Sequence, residues 1–264
     1  MTMDARVPAL RIAIAQPTMH WSGDDNADAV LATLAAAAAQ QARLCVFPEL
    51  VIPGFHRQIA QWAKPPLVAA WLERIRAACA EHTVAAAIGA PTFDADGRIY
   101  NSHLLIDEAG RLAGTVHKTG LTDPEATFFA RGDARPVVSL CGRRCTAVIC
   151  REVEDLDQVC AQLAGEPPDI IFWPGLMGPE AGAEDIEPPQ HVQQAQALAR
   201  RMNAYLIQSN WPMSLNYPEL GAQTGRSVVI DPSGEIAFEL PRAQAGLAVF
   251  TLGQRRFDWG AQHA

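Results

Sequence analysis

Three ionisable residues stand at the ends of short apolar runs: Glu49 in LCVFPEL, Lys118 in GTVHKTG and Cys150 in CTAVIC. Charged side chains are seldom buried unless paired, so a carboxylate, an ammonium and a thiol in such places suggest one shared polar site. Together they make a nucleophilic set. A cysteine attacks as its thiolate, and its ordinary pKa leaves little of it ionised at neutral pH. Glu49 can take that proton if it lies within hydrogen-bond reach and if burial lifts its own pKa toward neutrality. Lys118 would offset the accumulated negative charge and donate to an oxyanion. Taken singly, each has a plainer explanation: a cysteine ending an apolar strand is usually structural, and a strand-end Glu or Lys usually faces solvent.

Two other chemistries use some of the same residues. Cys141, Cys145 and Cys150, with His117 as a distant fourth ligand, would form a zinc site. Structural zinc sites present close Cys pairs on turns, whereas Cys145 and Cys150 sit on opposite faces of one extended run, so no metal is expected. A Cys-His pair of the papain kind lacks a histidine in a comparable place, and His117 points away from Lys118 if its strand persists.

The elements that must position this set alternate between β and α patterns. Arg11–Gln16 reads as a strand, and the Asp24-Asp25-Asn26 cluster offers a cap for an Ala-rich helix to about Ala42. The strand Leu44–Phe47 is stopped by Pro48, which cannot donate to a ladder and so delivers Glu49 just past the strand end. A helix over Pro66–Glu81 carries Leu67, Ala70, Trp71, Ile75 and Ala78 at helical spacing, and the strand AAAIGAP follows. Ser102–Ile106 and Leu112–His117 form a hairpin across Asp107-Glu108-Ala109-Gly110, so Lys118 leaves the end of a strand. After a polar stretch to Arg135, two strands flank the Cys141–Arg144 turn, the second ending at Cys150, and acidic residues from Glu152 introduce a helix to about Leu163. DIIFWPG is a further strand, breaking at Pro174-Gly175. Gly175–Pro189, rich in Gly, Pro and Glu, is the longest expected loop, of the kind that borders sites. Gln190–Met202 reads as a helix, Tyr205–Ser209 as a strand, Arg226–Ile230 with Ile236–Leu240 as a hairpin, and Gly246–Leu252 as the last strand. Hairpins mixed with crossovers imply mixed sheets covered by helices.

Composition narrows the function class. A chain of 264 residues with 49% hydrophobic and 19% charged residues can bury a large core, and no linker or repeat divides it, so one domain over residues 1–264 is expected. A net charge of -8 with scattered Arg and Lys argues against a nucleic-acid partner and against attraction to a membrane surface. The N-terminus lacks a signal-peptide pattern and no apolar run is long enough for a bilayer, so a cytoplasmic location and free thiols are expected.

The surrounding motifs resemble the nitrilase superfamily of carbon-nitrogen hydrolases over nearly the whole chain. Glu49 lies in FPEL, Lys118 begins KTGLTDPEATFFARGD, and Cys150 begins CREVED. Glu125 precedes Phe128, Phe129, Gly132 and Asp133, as the family's second glutamate precedes an aromatic-rich segment closing on Gly-Asp. AQP near the N-terminus, YNSHLLIDEAG before the lysine and GRSVVIDPSGEI near the C-terminus add to the likeness.

The resemblance implies an α/β fold, a four-layer α-β-β-α sandwich with two mixed β-sheets, commonly dimerised. It implies hydrolysis of a small amide through a Cys-linked acyl-enzyme, with nitrile or N-carbamoyl hydrolysis as alternatives and a catalytically silent binding protein as a further one. Cys150 becomes the nucleophile, Glu49 the general base, Lys118 the oxyanion stabiliser with the backbone N–H of Arg151, and Glu125 the group that holds Lys118 or the leaving group. No metal or organic cofactor is implied. Arg151 departs from the family pattern, and reads either as a helix-start residue or as a cation facing a carboxylate-bearing substrate. Trp173 falls where the family lines its pocket, with a core placement as the alternative.

Overall fold

In the computed structural model, which describes residues 9–178, 187–219 and 224–261, the chain winds two sheets between two helical layers. The first half alternates β1 (Arg11–Gln16), α1 (Gly23–Ala39), β2 (Leu44–Val46), α2 (Ile59–Trp62), α3 (Pro65–His82) and β3 (Ala85–Phe93), then β4 (Ile99–Ile106) and β5 (Leu112–His117). The one-turn α4 (Asp123–Ala126) leads into β6 (Val138–Leu140) and β7 (Arg143–Ala147), a 3-10 turn at Cys150–Glu154, α5 (Leu156–Leu163) and β8 (Ile170–Gly175). There follow α6 (Gln190–Met202), β9 (Tyr205–Asn210), β10 (Val228–Ile230), β11 (Ile236–Glu239), β12 (Gly246–Thr251) and β13 (Phe257–Ala261).

The seven-stranded sheet runs β13-β12-β1-β2-β3-β4-β5 and the six-stranded sheet β11-β10-β9-β8-β7-β6. Parallel pairs (β1 with β2, β2 with β3, β7 with β8, β8 with β9) arise from helical crossovers, and antiparallel ones from hairpins such as β3-β4-β5 and from the long-range pairing of β1 with β12, so both sheets are mixed.

The period-two alternation of strand side chains builds the layers. Ile12 and Ile14 of β1 join Leu44, Val46, Ile170, Phe172 and Ile207 in the core between the sheets, while Ala13 and Ala15 meet α1 and α3 outside. On the far side, Ile171 and Trp173 of β8 pack with Val159, Ala195 and Leu198 of α5 and α6. The small alanines of β1 and β3 let the outer helices lie close. This is the four-layer α-β-β-α sandwich.

Several boundaries differ from the expected ones. Ser22, not the Asp24–Asn26 cluster, caps α1, its hydroxyl accepting from Asp25 N at 3.3 Å; Asp24 instead accepts from the Trp71 indole at 2.7 Å. The strand before Cys150 ends at Ala147, and the helix expected from Glu152 starts at Leu156, because the carboxylate of Glu152 turns back into the core. Gly246–Thr251 is not the last strand: the half-exposed β13 pairs outside it, and its weak apolar pattern is that of a solvated edge. Pro174 and Gly175 stay within β8. Most of the expected Gly175–Pro189 loop lies outside the described residues.

Candidate active site

The first sheet delivers Glu49 from beyond the end of β2 and Lys118 from the end of β5, with β3 and β4 between them. Phe47 N still bonds Ala87 O at 2.9 Å, then Pro48 ends the pairing and Leu50 turns with φ 47°. Gly89 makes room for this turn, since a Cβ there would lie 2.2 Å from Leu50 N and 2.6 Å from Pro48 O. The indole N–H of Trp211 donates to Glu49 O at 2.8 Å. Lys118 follows β5 directly, its N–H donating to Asn101 O at 2.8 Å and its carbonyl accepting from Gly132 N at 2.9 Å.

Lys118 Nζ lies 2.7 Å from Glu49 Oε1 and 2.6 Å from Glu125 Oε1, with all three side chains largely withdrawn from solvent. Asn101 Nδ2 also donates to Glu49 Oε1, at 2.7 Å. Glu49 Oε2 is buried with no hydrogen-bond partner among the described residues. A buried carboxylate oxygen left free is costly for structure alone and suits a proton acceptor. Burial pushes the Glu49 carboxyl up, and the Glu125 charge adds to this, while Lys118 and Asn101 only partly offset it. Burial would lower the Lys118 ammonium, but the negative charges of Glu49, Cys150 and Glu125 outweigh it and hold the proton on.

Glu125 is aimed by a capping box. Thr122 caps α4, its hydroxyl accepting from Glu125 N at 3.4 Å, while Glu125 Oε2 accepts from Thr122 N at 2.9 Å. That leaves Oε1 for Lys118. The T-D-P-E run spells this signature, with Pro in the first turn, and it lay unread within the polar stretch Thr119–Arg135.

Cys150 belongs to the second sheet and lies beyond the end of β7, opening the 3-10 turn with φ 55°. Such backbone in a non-glycine residue is strained by about 1–3 kcal/mol, so its surroundings must hold it. Trp173 Nε1 donates to Cys150 O at 2.9 Å, and Glu152 Oε2 accepts from Ile149 N at 2.7 Å. Burial raises the thiol pKa, and Glu49 raises it further; Lys118 and the N–H of Leu176 pull it down without cancelling the rise. The resting nucleophile is a thiol, so it needs a base to attack.

Glu152, which the sequence suggested as a helix cap, has a larger role. Its Oε1 accepts from Gly120 N and Thr119 Oγ1, each at 2.9 Å, and Arg135 Nη1 lies 3.1 Å from Oε2. Arg135 also donates to Ala147 O and to Thr119 Oγ1. One buried ion pair thus ties the segment after Lys118 to the cysteine turn, joining the two sheets at the site. The acidic residue two places after the cysteine was its only sequence signal.

Lys118, Glu125, Cys150 and Arg151 line a cavity of about 450 Å³ whose apolar wall includes Phe55, Phe128 and Leu176. Glu49 lies behind Lys118. Trp173 is not part of the wall: alternation along β8 turns it to the helical layer, where it is fully buried and meets His191 at 5.9 Å between ring centroids. That is the core placement, the second of its two readings. The Arg151 guanidinium is engaged by Asp155, with two contacts of 3.1 Å. Among the described residues no group of three or more His, Cys, Asp or Glu could hold a metal, and all six cysteines are free. None of the described helices is long and apolar enough to cross a membrane.

The family profile for carbon-nitrogen hydrolases matches residues 11–256. The chain belongs to the carbon-nitrogen hydrolase family. Among solved structures, this carbon-nitrogen hydrolase is similar to an amidase from Nesterenkonia sp., with 26% identity and a TM-score of 0.78 over 94% of this chain and 91% of that one. A mutant of the Nesterenkonia enzyme, at a TM-score of 0.79 and 26% identity over 96% of this chain and 93% of that one, shows covalent addition of the acetamide moiety of fluoroacetamide at the active-site cysteine. These neighbours make the chain an amidase-like member of the nitrilase superfamily. A bromoxynil-specific nitrilase of Klebsiella pneumoniae subsp. ozaenae is 32% identical over 58% of this chain and 48% of its own length. An aliphatic nitrilase of Rhodococcus rhodochrous is 25% identical over 74% of this chain and 57% of its own. The chain spans about half the length of the curated relatives it matches.

Proposed function

We propose that this carbon-nitrogen hydrolase cleaves a small amide through a thioester on Cys150. The observation that carries this is Lys118 held between Glu49 and Glu125 beside the strained Cys150 at the wall of the cavity. The adduct on the cysteine of the amidase-like neighbour supports it.

Glu49 Oε2 takes the Cys150 proton as sulfur attacks the amide carbon and the carbonyl π electrons move to oxygen. Lys118 Nζ and the backbone N–H of Arg151 receive that oxyanion, a single such donor being worth about 2.7–4 kcal/mol. The carbon–nitrogen bond then breaks, and Glu49 gives its proton to the leaving nitrogen. In the second half water gives a proton to Glu49 and attacks the thioester. Collapse releases the carboxylic acid, and the departing thiolate regains its proton from Glu49. The tuned pKa values favour a base that binds and returns one proton. Glu125 keeps Lys118 in place.

Nitrile hydrolysis is the second reading, favoured by the nitrilases among the relatives. Ammonia release from a panel of small amides and nitriles, with intact mass spectrometry for a Cys150 adduct, tests both. Cys150→Ala should retain the fold and lose turnover. Turnover by that variant, or no adduct and no ammonia from any compound, would overturn the proposal.

A further inference from the structure

We infer that Arg57 and Asn216 form a carboxylate-recognising subsite at the rim of the catalytic cavity, so that the acyl part of the preferred amide ends in a carboxylate. The inference rests on the amide-hydrolysis reading and adds its substrate class.

Charge accounting around the cavity singles out Arg57. Lys118 is taken by Glu49 and Glu125. Arg151 is taken by Asp155, with Glu154 at 3.7 Å. Arg57 lines the same cavity, yet its guanidinium has no carboxylate partner among the described residues; it lies over the Trp21 ring at 5.2 Å from the centroid. That stacking orients the planar fork without using up its donors.

Asn216 supplies the second half. Arg57 N donates to Asn216 Oδ1 at 2.8 Å, which assigns the oxygen inward and leaves the carboxamide N–H donors for the cavity that Asn216 also lines. That bond runs from the Arg57 backbone and holds Asn216 beside it, so the guanidinium and the carboxamide N–H groups are donors on the same cavity, complementary to a carboxylate. The same cavity is lined by Phe55, Ile59, Phe128 and Leu176, which suit a methylene or aryl spacer. A chain of net charge -8 repels anions in general, so an anionic substrate needs a dedicated cation here.

The test compares monoamides of dicarboxylic acids of increasing chain length with the ω-hydroxy amides of the same lengths, by ammonia release. At the best length the carboxylate compound should have the higher kcat/KM by about tenfold or more, the size of one charge-assisted hydrogen bond. Arg57→Gln should bring that ratio close to one, chiefly through KM, and Arg57→Lys should keep part of it. Because each variant is its own control, a general loss of folding does not mimic the result. Equal use of the two series by the wild type, or an unchanged ratio in Arg57→Gln, overturns the subsite alone. No ammonia and no Cys150 adduct with any amide overturns the subsite together with the reading beneath it.

Discussion

The indole N–H of Trp173 donates to the carbonyl oxygen of Cys150 at 2.9 Å, from the far side of the sheet that carries the nucleophile. A second buried tryptophan does the same for the base, Trp211 donating to Glu49 O at 2.8 Å. Both indoles act on backbone, so they set where the reacting side chains stand without touching substrate.

Trp173→Phe keeps most of the apolar volume and removes only that donor. Losing a partner for a buried acceptor costs about 1–3 kcal/mol, and here it also releases the φ 55° backbone of Cys150. The expected outcome is a fall in kcat of about tenfold or more with little change in KM, measured by steady-state ammonia release. Wild-type kcat in this variant would show that the turn holds itself.

Glu152 is the group whose loss should cost stability most. Glu152→Ala leaves the Arg135 guanidinium buried without its carboxylate, a loss of about 3–5 kcal/mol. Denaturant unfolding should show it, with Glu152→Gln in between. Burial alone would raise the Glu152 carboxyl, but Arg135 and the surrounding N–H donors outweigh it and hold it below its ordinary value. A carboxyl lowered in the folded state stabilises above its unfolded pKa and loses that contribution as pH falls through the folded one. Acid unfolding of the wild type should therefore steepen below about pH 4, and Glu152→Gln should remove that steepening.

His103 adds a second, higher acid window. Its ring is fully buried next to Phe172, with neither nitrogen bonded among the described residues, and burial lowers its pKa to about 3. The unfolded chain takes up this proton below about pH 6.5 while the folded one does not, so stability falls as pH drops from there. The melting temperature measured between pH 7 and 5 should decline less in His103→Phe than in the wild type; equal declines would assign the window to other groups.

Glu49→Gln separates the base from the charge. Ammonia release should disappear. After burial, the Glu49 charge is the chief cause that raises the Cys150 thiol, and Lys118 opposes it, so removing that charge leaves less to offset the pull of Lys118. The pH midpoint for alkylation of Cys150 by iodoacetamide should then move down. An unchanged midpoint would place the carboxylate too far away to act on sulfur.

Gly89→Ala tests the turn under Glu49. The added Cβ would meet backbone atoms of Pro48 and Leu50 rather than a flexible side chain, and overpacking of this kind costs about 1–3 kcal/mol. Turnover should fall further than the melting temperature suggests, because the strain is relieved by moving Glu49. A variant with wild-type kcat would show that the turn yields elsewhere.

The sequence by itself determined the alternation of strands and helices, the layered class, and Glu49, Lys118, Glu125 and Cys150 as the candidate set. It could do so because strand periodicity, Pro48 and the hairpin turn at Asp107–Gly110 are local signals, and the flanking motifs are contiguous. The capping box at Thr122 was equally local and readable, though unread. The tertiary structure alone decided what crosses between segments. Arg135 with Glu152, Trp211 with Glu49 and Arg57 with Asn216 are pairs between different segments, the last two far apart in the chain, and no single-segment pattern encodes which partner packing will bring near. Trp173 shows both sides: alternation along β8 gave it a face, but which face met the helices and which met the other sheet depended on how the two sheets stacked.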